Sequence, residues 1–70
     1  MLYDLYVSGT EPTANGFQGT RIAIKASTQH LHDLERNGFA YMRSGNVGAL
    51  VDGDIIRTHR GTYLWLEETL

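Results

Sequence analysis

The chain carries three histidines, and their spacing decides what chemistry they can do. His30 and His32 stand two positions apart. On a helix, side chains converge at spacings of three or four, so this pair points to different sides and cannot chelate one ion. His59 lies far along the chain in a turn, where it can join one of them but not readily both. The chain has no cysteine, which excludes thiolate metal sites and disulfides. The expectation is no metal and no cofactor, with the histidines exposed or capping.

Catalysis needs a base, an orienting partner and a group that stabilises developing charge, all within a few ångströms. His59 between Arg57 and Arg60 has the residue types of a small ribonuclease site, and Asp52 with Asp54 has those of a carboxylate pair. Turn chemistry explains both more simply. Asp52-Gly53 is a favoured two-residue hairpin turn, and Arg60-Gly61 suits the next turn. No Gly-x-Ser-x-Gly elbow, phosphate loop or His-Glu-x-x-His string is present. Two Gly-x-x-Gly strings occur, Gly16-Phe17-Gln18-Gly19 and Gly45-Asn46-Val47-Gly48. In KH domains such a loop joins two helices and clamps nucleotide backbones. Here both strings join expected strands and contain no basic residue, so they read as turns. The chain is expected not to be an enzyme.

Surface recognition remains. Tyr41, Arg43, Arg57, Tyr63 and Trp65 fall on expected strands, and a sheet face of aromatic and arginine side chains can bind single-stranded nucleic acid or peptide. The formal net charge is −2, whereas a binder of the phosphate backbone normally carries a basic excess. Nucleic-acid binding through this face is the alternative expectation, behind protein binding.

The elements that must position these residues follow from turn signals and hydrophobic period. Leu2 to Val7 is strand-like, with Tyr3, Leu5 and Val7 on one face and Asp4 on the other. Ser8 to Gly19 gathers Gly9, Pro12, Asn15-Gly16 and Gly19, a long loop suited to binding. Thr20 to Ala26 alternates, with Ile22 and Ile24 pointing one way and Arg21, Ala23 and Lys25 the other. Ser27 caps a helix over Thr28 to Arg36, Leu31 and Leu34 form its buried stripe, and Asn37-Gly38 ends it in left-handed geometry. A meander follows, with strands over Phe39 to Arg43, Ala49 to Val51, Asp54 to Thr58 and Thr62 to Leu66. The expected fold is α+β: a twisted antiparallel sheet of four to six strands with one short helix on one face, in the order ββαβββ(β), and residues 1–70 form one domain. Its expected core is Leu5, Val7, Ile22, Ile24, Leu31, Leu34, Phe39, Leu50, Ile56, Leu64 and Leu66.

Size sets the remaining limits. A chain of 70 residues buries about 60% of its unfolded surface, enough for one small core. If Leu2 to Val7 is an edge strand, its unpaired backbone groups invite a homodimer or β-augmentation of a partner. Apolar runs reach only four residues, as at Tyr63 to Leu66, and the N-terminus lacks a signal-peptide pattern. No membrane association and a cytoplasmic location are expected.

The expected function is a stand-alone protein-binding module, an inhibitor or regulator that blocks a larger protein or nucleoprotein complex. In size and style the chain resembles small phage and mobile-element proteins, including anti-CRISPR inhibitors; this likeness implies the inhibitor role and assigns no residue. The expected contact residues are Phe17 and Tyr6 first, then Tyr41, Arg43, Arg57, Arg60 and Tyr63. Glu11, with Glu67 and Glu68, is expected to steer toward a basic partner.

Overall fold

Tyr3, Leu5 and Val7 do share one face of a strand, β1 (Tyr3–Ser8), and that face lies on the core. The computed structural model describes residues 1–12 and 19–69. The loop residues Asn15, Gly16 and Phe17 lie outside them, so the expectations placed on these residues are not addressed by the structure.

The chain is α+β, with β1 followed by β2 (Thr20–Ala26), α1 (Thr28–Arg36), a 3-10 turn (Phe39–Tyr41), α2 (Asn46–Val51), β3 (Ile56–Arg57) and β4 (Tyr63–Glu68). The four strands form one antiparallel sheet in the order β2-β1-β4-β3. Both helices cover the same sheet face. Leu5, Leu64 and Tyr3 from the strands meet Leu31 of α1, Val47 and Leu50 of α2, and Met42. β1 is therefore an inner strand, paired on both sides, and the route to a homodimer through Leu2 to Val7 is closed.

The helix expected over Thr28 to Arg36 forms with those bounds. The Ser27 hydroxyl accepts from His30 N at 3.2 Å, and Gly38 at φ 69° provides the left-handed exit. The segment after it departs from the expected meander. Phe39 to Arg43 is not a strand: the 3-10 turn drives Met42 into the core and leaves Phe39 40% exposed. Ala49 to Val51 is the end of α2, whose Val47 and Leu50 are buried at helical spacing. Asp52-Gly53 is not a hairpin turn but the cap of α2. Asp54 N donates to Ala49 O and Gly53 N to Leu50 O, both at 3.0 Å, with Gly53 at φ 99°. That is the Schellman pattern, which uses the same small residues as a hairpin turn. The strand expected over Asp54 to Thr58 shrinks to β3, two residues long.

β2 also breaks its expected alternation. Its register against β1 shifts twice, from Tyr3↔Ala26 to Leu5↔Ala23 and then to Tyr6↔Arg21. Each shift inserts one extra residue on β2, as a β-bulge does, and each reverses the inside-outside phase. Ile24 is consequently 59% exposed, and Ala26 takes the buried place. Lys25 sits in this irregular stretch with φ 53°.

Candidate binding surface

Register assigns the helix-free face of the sheet. Asp4 pairs with Glu67, Tyr6 with Trp65 and Ser8 with Tyr63, Arg21 lies opposite Tyr6, and Arg57 lies opposite Tyr63. Ile56 and Leu64 point to the core, so Arg57 and Tyr63 must point away from it. This is the aromatic and arginine face that the sequence suggested, but two of its expected members are elsewhere. Tyr41 and Arg43 lie outside the sheet, in the segment between the helices.

The face is largely satisfied within the molecule. Tyr6 and Trp65 stack with centroids 5.6 Å apart and planes 9° from parallel. Trp65 is only 5% exposed, Gly19 lies against its ring, and its Nε1 donates to Glu67 Oε2 at 3.4 Å. Arg21 is 3.6 Å from Asp4. A nucleobase stacking here would have to displace contacts already made.

The open surface is the β3–β4 turn. Thr58 is buried and anchors it. Its Oγ1 lies 2.7 Å from Thr62 Oγ1 and accepts from Arg60 N at 3.2 Å and Thr62 N at 3.3 Å. Thr58 N donates to Thr62 O at 2.8 Å, and Gly61 adopts φ 80° to close the turn. His59 and Arg60 project from this tied loop. Both touch Tyr41: the His59 ring meets it edge-on at 5.5 Å, and the Arg60 guanidinium carbon lies 5.4 Å from its centroid.

Tyr41 stays exposed, at 45%, because its backbone turns it out while the adjacent Met42 is pulled in. Ala40 and Tyr41 are both left-handed, at φ 53° and 64°. For residues with a Cβ this costs about 1–2 kcal/mol each, and such strain concentrates where geometry serves a purpose.

Charge is unevenly distributed along β3 and β4. No carboxylate occurs in residues 36–51 or 55–66, which hold Arg36, Arg43, Arg57, His59 and Arg60. Among the described residues, Arg43, Arg57 and Arg60 make no ion pair. Asp4, Glu67 and Glu68 lie at the opposite end of β1 and β4, about 17 Å away along five strand residues. Glu11 is exposed, and the acidic group Glu67 serves Trp65.

Of the expected contact residues, the structure brings together Tyr41 with Arg60 and Arg57 with Tyr63, stacks the partly buried Tyr6 on Trp65, and leaves Arg43 exposed. Phe17 lies outside the described residues. The roles of Thr58 and of His59 beside Tyr41 were not foreseen. The pair Thr58 and Thr62, bracketing a His-Arg-Gly turn, was the available signal.

Gly45-Asn46-Val47-Gly48 does not join strands but opens α2. It still does not resemble a phosphate clamp in use, because the Glu35 carboxylate occupies it and accepts from Val47 N at 2.8 Å. Among the described residues no group of three metal-ligating side chains gathers, no enclosed pocket forms, and no helix is long and apolar enough to cross a membrane. No family model, curated protein or solved structure matches the chain.

Proposed function

We propose that the chain is a protein-binding module of the cytoplasm, an inhibitor or regulator that occupies the surface of a larger protein or nucleoprotein complex. One observation carries this: Tyr41 is held exposed on a strained backbone and braced by contacts with both His59 and Arg60. An aromatic ring fixed in advance loses little rotamer freedom on binding, and tyrosine and arginine dominate the energetic centres of protein interfaces. The cysteine-free composition favours the cytoplasm.

The contact surface is the β3–β4 turn with Tyr41, continuing onto Arg57 and the half-buried Tyr63. Tagged chain used as bait in extract of its native host should retain one complex, and Tyr41→Ala should release it. Equal retention by the variant would overturn the assignment. The alternative of a nucleic-acid platform draws support from the outward direction of Arg57 and Tyr63, but the Tyr6–Trp65 stack and the negative net charge weigh against it.

A further inference from the structure

We infer that the surface around Tyr41 and Arg60 recognises an acidic segment of the partner protein, with a partner carboxylate seated on the Arg60 guanidinium. The inference rests on the protein-binding proposal and adds the chemistry of the partner. Arg60, Arg57 and Arg43 carry three positive charges without an ion pair among the described residues, on two stretches of chain free of carboxylates that the exposed Asp52 and Asp54 separate. A native surface with unmatched charge of one sign is complementary to the other sign, and this complementarity steers association and selects partners.

The geometry of Arg60 narrows the ligand. Its guanidinium lies over the Tyr41 ring. A cation–π contact of this kind consumes no N–H donor, and the guanidinium fork matches a carboxylate in two parallel hydrogen bonds. The Thr58 and Thr62 hydroxyls tie the turn that carries Arg60, so the donors are directed before any ligand arrives. His59 meets the same ring edge-on, and its imidazole adds an N–H donor.

A nucleic acid would also offer anions, but the distribution of charge opposes it. Arg57, His59 and Arg60 lie at one end of β3 and β4, and Asp4, Glu67 and Glu68 lie at the other, where Arg21 and Lys25 neighbour Asp4. A polyanion tracking along the sheet would meet these carboxylates within about 17 Å. A short acidic stretch of protein needs only the basic end.

The test is a titration of the isotopically labelled full chain, followed by backbone amide shifts. One probe is a hexaglutamate peptide and the other a single-stranded thymidine oligonucleotide of equal charge. The peptide should shift Tyr41, Arg57, His59 and Arg60 selectively and bind more tightly than the oligonucleotide. Arg60→Gln should weaken the peptide about 10-fold, the scale of a lost charge-assisted pair, with Arg60→Lys in between because it keeps the charge and loses the fork. Thermal melting checks that both variants stay folded, and Glu68→Gln at the far end should leave binding unchanged. Tighter oligonucleotide binding, shifts spread evenly over all cations, or an unchanged affinity for Arg60→Gln would overturn the inference. If the host complex is still lost on Tyr41→Ala while the peptide fails to bind, the acidic-partner inference falls and the protein-binding proposal stands.

Discussion

The carboxylate of Glu35, on α1, caps the N-terminus of α2 by accepting the Val47 N–H at 2.8 Å. α2 has no cap of its own: Gly45 precedes it without a side-chain hydrogen bond, and its first turn holds no acidic residue. With six residues and an internal Gly48, it is too short and too poor in helix propensity to persist unaided. A carboxylate from a neighbouring helix satisfies one free N–H and opposes the positive end of the helix dipole. Glu35→Ala should lower unfolding stability by about 1–2 kcal/mol in denaturant titration, and Glu35→Gln by less. Because α2 supplies Val47 and Leu50 to the core, the loss should be global. An unchanged midpoint would show that packing alone holds α2.

The close approach of Gly19 to Trp65 gives a second expectation. A Cβ on Gly19 would overlap Trp65 Cη2, lie 2.8 Å from Cζ2 and lie 3.1 Å from the Val7 carbonyl oxygen. The ring cannot yield freely, since it is stacked on Tyr6 and nearly buried. Gly19→Ala should cost about 1–3 kcal/mol, as overpacking does. The sole tryptophan should report it through a shifted emission. Wild-type stability with unaltered emission would refute the contact.

Lys25 offers the opposite sign. Its φ of 53° lies in the left-handed region and its side chain is exposed, so a glycine there removes strain without removing packing. Its backbone N–H bond to Asp4 Oδ1 at 3.3 Å does not depend on the side chain. Lys25→Gly should stabilise the fold by about 0.5–1 kcal/mol, the left-handed relief less the added freedom of the unfolded chain. A lowered melting temperature would contradict the irregular geometry assigned to β2.

These cases also show what the residues disclose by themselves. α1 was legible because Ser27, the Leu31–Leu34 stripe and Asn37-Gly38 all signal the same helix. β1 was legible from alternation and β4 from the turn that precedes its apolar run, and the α+β class followed. α2 was hidden because Asp52-Gly53 serves a helix end as well as a hairpin, and because its cap comes from Glu35, 12 residues earlier. Ile24 and Phe39 were placed inside because period alone does not reveal a bulge or a left-handed turn. The same limit applies to the surface. Tyr41, Arg57, Arg60 and Tyr63 could be singled out by type, but the left-handed backbone at Ala40 and Tyr41 has no glycine to announce it. Nothing local brings Tyr41 to His59, 18 residues on.

The central claim is that the braced Tyr41 is the anchor of a protein interface. The most direct measurement is the affinity of the complex recovered from the native host, compared between the wild-type chain and Tyr41→Ala under conditions where both show the same melting curve. Truncation of a central aromatic anchor typically removes about 2 kcal/mol or more, so a weakening of about 30-fold or greater is predicted. Tyr6→Ala, which removes a ring stacked within the molecule, should weaken binding far less once its effect on stability is matched. An affinity for Tyr41→Ala within twofold of wild type, in a chain that still melts normally, would contradict the account.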